Sequence, residues 1–71
     1  MQELTSPVSN VAARRLELRL TQMDVAIKAG ISLRTVQHIE SGKHEPRGKT
    51  ARALAPVLHW SIAELFEAVA S

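Results

Sequence analysis

The 71-residue chain has no cysteine, which excludes both a disulfide staple and a thiolate-held metal. A chain this short forms one domain and buries only about 60% of the surface its unfolded form exposes. Aromatics are almost missing: Trp60 and Phe66 stand alone, without a tyrosine. A surface that stacks unpaired bases needs rings along the path of the strand, so single-strand binding is disfavoured. The two rings are assigned to the core, with Trp60 partly at a subunit contact. No apolar run approaches the ~20 residues that cross a bilayer, and no membrane partner is expected. The first residues, MQELTSPVSN, lack a basic stretch followed by an apolar one and do not read as a secretory leader. Three glycines, Gly30, Gly42 and Gly48, match neither phosphate-cradling spacing. His38, His44 and His59 are scattered, without partners at ligand spacing, so no metal, cofactor or small-molecule ligand is expected. No nucleophile stands at a spacing that supplies it with a base, so catalysis is not expected.

What the chain does have is a basic middle. All nine Lys and Arg fall between Arg14 and Arg52, a span with four acids, giving 9 − 4 = +5. The ends carry Glu3, Glu64 and Glu67 and no base, giving −3. Such a distribution suggests one anion-facing side, although a merely solvated Arg-rich surface would look the same.

Apolar residues recur at helical spacing throughout, and β-type alternation is absent. Five short helices are expected. The first opens at Ser6-Pro7, a capping residue followed by Pro at the first helical position, and carries Val8, Val11, Arg15 and Leu18 to about Arg19. Thr21 with Asp24 starts a second, which ends at Gly30 with Val25, Ala26 and Ala29 inward. Ser32 caps a third, running to about Ser41 before Gly42. In it Val36 and Ile39 are inward, while Leu33, Arg34, Thr35, Gln37, His38 and Ser41 face out. A fourth covers roughly 47–58, with Leu54, Ala55 and Leu58 inward. Ser61 with Glu64 opens a fifth that carries Ile62, Leu65, Phe66 and Val69. The fold expected is an all-α, compact five-helix bundle.

A Gly-containing turn of about three residues forces the second and third helices to cross steeply, so the third protrudes. A helix about 10–12 Å across fits a DNA major groove about 12 Å wide. The outer face of this one is polar and basic, which makes double-stranded DNA the expected partner.

The chain resembles the Cro/C1-type (XRE-like) helix-turn-helix family of phage repressors and bacterial regulators. The resemblance spans about residues 8–67 and is carried by Leu20-Thr21-Gln22, Ala26, Ala29–Ser32, Thr35–Pro46 and Ser61–Phe66. It implies a lambda-repressor-like domain with a central helix-turn-helix over 8–71, preceded by a flexible arm over 1–7. Gln22 looks like the family's glutamine that holds a phosphate and braces the recognition helix. The resemblance places Leu33, Arg34, Gln37 and His38 where relatives reach base edges, and Thr35 nearer the phosphates. Lys43 and Arg47 match positions that grip the sugar-phosphate strand. Arg15 and Glu40 match an ion pair tying the first helix to the end of the third. A cytoplasmic repressor of a bacterial or phage-infected cell follows, acting as a homodimer on a pseudo-palindromic operator. Its self-association surface is expected around Trp60, Ile62, Ala63, Phe66, Glu67 and Val69.

The chain departs from the family's pattern at four positions. Leu33 replaces a polar base reader, and Gly48 replaces an apolar residue, inviting fraying of the fourth helix. Pro56 falls inside that helix and invites a kink, while His59 stands where glycine is usual, so that turn must differ or accept strain. Two rival readings remain at this point. One is an antitoxin-like or adaptor module whose main partner is a protein held by the fourth and fifth helices. The other is the excised N-terminal domain of a longer repressor.

Overall fold

The computed structural model describes residues 9–70, all helix and turn among those residues. The helices are α1 (Asn10–Glu17), α2 (Gln22–Ala29), α3 (Leu33–Glu40), α4 (Gly48–Val57) and α5 (Ile62–Ala70). The fold is the expected five-helix, all-α domain. The arm assigned to residues 1–7 lies outside the described residues.

Local chemistry fixes most of the helix starts. Thr21 and Asp24 form a reciprocal capping box, each side chain accepting from the other's backbone N–H at 2.9 and 2.8 Å. Ser61 and Glu64 repeat it for α5, at 3.1 and 2.7 Å. These satisfy donors that a helix start otherwise leaves orphaned. The first helix corrects the sequence reading. Ser9 is extended and its hydroxyl accepts from Ala12 N, so the start is Ser9-Asn10 rather than Ser6-Pro7. Ser6, Pro7 and Val8 lie outside the described residues.

Four helices end in the same way. After α1, α2, α3 and α4 the chain passes through a left-handed residue: Arg19 (φ 59°), Gly30 (71°), Gly42 (80°) and His59 (57°). In each case two backbone bonds close the turn, as in Leu20 N→Arg15 O with Arg19 N→Leu16 O, or Trp60 N→Ala55 O with His59 N→Pro56 O. This is the Schellman arrangement, which returns the last carbonyls to N–H partners. Because α1 ends in it, the helix stops at Glu17 rather than near Arg19. α4 continues through Pro56 for one residue, to Val57.

A left-handed side-chain-bearing residue costs about 1–2 kcal/mol, against about 0.5–1 for glycine's extra backbone entropy. His59 is exposed and its side chain has no hydrogen bond among those found in the described residues. We expect His59→Gly to stabilise the domain by roughly 0.5–1 kcal/mol, read as a rise of a few degrees in Tm.

The core joins Val11 of α1, Val25 and Ala26 of α2, Val36 and Ile39 of α3, Ala51, Leu54, Ala55 and Leu58 around α4, and Leu65 of α5. α3 packs on α1 and α2, while α4 is held between α2 and α5. Phe66, expected in the core, instead stands 37% exposed, beside Ile62 at 41% one turn earlier. Leu65 is the residue of α5 that reaches inside. Trp60 is half-buried against the core, with the Arg14 guanidinium 5.7 Å from its ring. Arg14 also donates from Nε to Leu58 O at 2.9 Å, tying α1 to the end of α4. No single helix among the described residues is long and apolar enough to cross a membrane.

Candidate nucleic-acid interface

The site begins at the turn between α2 and α3. Gly30 takes the left-handed conformation that glycine tolerates best, and Ile31 then tucks against the core. Ser32, extended, accepts from Thr35 N at 3.0 Å and starts α3. Three residues therefore join α2 to α3, and α3 is left with one face buried.

That covered face is Val36 and Ile39, at 2% and 4% exposure. On the other side Arg34 and Gln37 are exposed and His38 half-exposed. Leu33 corrects the sequence reading: it is half-buried and packs on the core rather than standing fully outward. Side chains in a first helical turn lean back towards the N-terminus, which carries Leu33 over the turn. Thr35 is half-buried, with its hydroxyl 2.8 Å from that of Ser32.

A chain of polar contacts braces this helix. Arg15 of α1 meets Glu40 with two bonds, Nε to Oε2 at 2.6 Å and a terminal nitrogen to Oε1 at 3.2 Å. Its other terminal nitrogen donates to Leu20 O at 2.9 Å. The two charged side chains are only 12% and 8% exposed. Gln22, at the start of α2, donates from Nε2 to Glu40 Oε1 at 3.0 Å. Gln37 donates from Nε2 to Gln22 Oε1 at 3.4 Å. The expected Arg15–Glu40 pair is thus present, and Gln22 touches α3 at two points.

After α3 the chain folds back onto it. Gly42 N bonds Ile39 O, and Lys43 N bonds His38 O at 2.9 Å. This return brings His44 against His38, ring centres 4.9 Å apart. An open cleft of about 260 Å³ runs between α3 and the loop, rimmed by Arg34, His38, His44, Glu45 and Arg47 over Pro46. Arg34, His38 and Arg47 therefore share one opening; Lys43 is exposed on the same loop. Sequence spacing gives His44 no place in the interface, because only the turn at Gly42 brings it to His38. Among the described residues no cluster of three His, Asp or Glu side chains could hold a metal.

Partial desolvation, followed by the neighbouring His44, Arg34 and Lys43, holds the His38 imidazolium below its usual pKa. The unfolded chain therefore takes up this proton first as pH falls. The associated stability is complete above the ordinary histidine value of about 6.5 and is lost as pH drops through the lower folded value. Melting curves between about pH 7.5 and about pH 5 should show a smaller acid-side loss in His38→Gln than in the wild type. Asp24 is shifted down too, chiefly by the Thr21 backbone N–H and then its hydroxyl, so its contribution fades only in stronger acid.

A family model described as helix-turn-helix matches residues 11–68, a span that begins in α1 and ends in α5. No curated protein and no solved structure matches the chain. That family comprises DNA-binding domains rather than enzymes. With α2, the Gly30 turn and α3 at its centre, the chain belongs to the XRE/Cro-C1-type helix-turn-helix family and is a DNA-binding transcriptional regulator of that type.

Proposed function

We propose that the protein is a sequence-specific repressor that lays the outer face of α3 in the major groove, two copies binding a pseudo-palindromic operator. The observation that carries this reading is the uncovered polar side of α3, with Arg34 and Gln37 exposed above a buried Val36–Ile39 face. In it Arg34, Gln37 and His38 read base edges, while Thr35 and Gln22 lie towards the phosphates. Lys43 and Arg47, on the loop that returns along α3, hold the backbone. Leu33 supplies packing and an apolar edge suited to a thymine methyl. One recognition helix per protomer favours a dimer with half-sites about 34 Å apart. The exposed Ile62–Phe66 pair on α5 is the apolar surface that would serve it.

Selection from random duplexes at fixed salt tests the reading. We expect an enriched, two-fold-related motif for the wild type. Arg34→Ala should flatten preference at one base pair per half-site, worth about 1–3 kcal/mol if Arg34 pairs with guanine. Lys43→Ala or Arg47→Ala should instead weaken all duplexes alike and lower the salt slope by about 1. Equal loss for Arg34→Ala on enriched and random DNA would remove its base-reading role. The same Ile62–Phe66 surface also suits a protein partner, as in an antitoxin-like or adaptor module. Sedimentation of the pure protein decides between the two, since only self-association makes the mass rise with concentration.

A further inference from the structure

The polar chain behind α3 has a direction that its chemistry imposes. A carboxylate only accepts hydrogen bonds, so Glu40 obliges Gln22 to turn its NH₂ group inward, as observed at 3.0 Å. The Gln22 oxygen must then face Gln37, which can answer only with its own NH₂ group, as observed at 3.4 Å. The Gln37 oxygen and second N–H, without partners among the described residues, are left on the exposed side of α3. Adenine offers the groove a donor and an acceptor, which an amide oxygen with one N–H matches as a pair. Guanine offers two acceptors and would need two N–H groups, one of which is already committed to Gln22.

We propose that Glu40 is a positioning residue for sequence reading: acting through Gln22, it fixes the Gln37 amide in the orientation that selects adenine. This rests on α3 lying in the major groove, as argued above. Replacing the carboxylate by an amide reverses the logic. In Glu40→Gln the new oxygen keeps the shorter Arg15 bond, from Nε at 2.6 Å. The NH₂ group then takes the place of Oε1, where it gives up the 3.2 Å bond from the Arg15 terminal nitrogen and faces Gln22. Gln22 then presents its oxygen inward and its NH₂ outward, and Gln37 turns both N–H groups to the groove. Guanine becomes the matched base.

The test is duplex selection at fixed salt and pH with the wild type, Gln37→Ala, Glu40→Gln and Gln22→Met, each checked for folding by its melting curve. Gln22→Met interrupts the chain while leaving the Arg15–Glu40 pair in place, so it serves even if Glu40→Gln is poorly folded. We expect one base pair per half-site at which the wild type favours adenine over guanine by roughly 5- to 150-fold. That preference should vanish in Gln37→Ala and Gln22→Met at the same base pair, and vanish or pass to guanine in Glu40→Gln. A role confined to holding the fold would instead lower affinity at all positions together. Retention of adenine in Gln22→Met or in folded Glu40→Gln, uniform loss across the site, or no base pair sensitive to Gln37→Ala would overturn the proposal. A wild type that enriches no motif would overturn the major-groove reading itself, a distinct result.

Discussion

Glu40→Ala is expected to remove a large share of the domain's stability, about 3–5 kcal/mol by denaturant or thermal melting. The cost comes less from a lost attraction than from what remains. Arg15, 12% exposed, would keep a charged guanidinium in a site built for a carboxylate, with Leu20 O as its remaining acceptor. A chain of this length is held by roughly 4–10 kcal/mol in total, so the variant should melt far below the wild type. An apolar replacement of both partners, Arg15→Met with Glu40→Leu, leaves no stranded charge and should melt within about 2 kcal/mol of the wild type or above it. If Glu40→Ala melts like the wild type, the pair is more hydrated than its burial implies. A folded double variant would also keep α3 in place while leaving the Gln22 amide without its inward acceptor.

Leu65→Ala should cost nearly as much, about 2–5 kcal/mol, the range for deleting a fully enclosed leucine side chain. Leu65 is 0% exposed and is the buried residue of α5, which otherwise leans on half-buried Ala68 and Val69 and on a 3.3 Å bond from Asn10 to Ala68 O. The capping box at Ser61–Glu64 is local and survives the change, so α5 should remain helical yet dock loosely on α1 and α4. Amide exchange would then accelerate in α5 before it does in α2 or α3. Because Ile62 and Phe66 are presented by this helix, any self-association should be lost with it. Ile62→Ala and Phe66→Ala remove side chains that are already 41% and 37% exposed, and should cost well under half as much. Equal melting of all three variants would mean that α5 is not held through Leu65.

The features legible in the sequence were those written in neighbouring residues. Thr21 with Asp24 and Ser61 with Glu64 announce helix starts because each box closes within three residues. Gly30 and Gly42 announce stops because their left-handed backbone suits glycine. Val25, Ala26, Val36, Ile39, Leu54, Ala55 and Leu58 were placed inward by spacing, and all are buried. Ala51 was missed, although fully enclosed, because a small side chain leaves little trace in a hydrophobic pattern.

What escaped the sequence depends on contacts distant along the chain or on competing local signals. Ser6 followed by Pro7 reads as the start of α1, and Ser9 takes the capping role instead. Arg19 shows that a left-handed turn need not contain glycine when its two closing bonds are made. Arg14 on the Leu58 carbonyl and His38 against His44 arise only once α1 meets the end of α4 and the loop returns along α3. The same is true of Gln37 and Gln22, fifteen residues apart. The Arg15–Glu40 pair was anticipated through family resemblance, not through spacing.

Backbone amide shifts recorded while a short duplex is titrated into the labelled protein at low salt test the central claim most directly. Any duplex will serve, because phosphate contacts form on every sequence. The largest changes should fall at Gln22, along Leu33–Glu40 and at Lys43–Arg47, with Ile62–Ala70 little affected. Changes centred on α5, or none at any duplex concentration, would contradict DNA binding through α3.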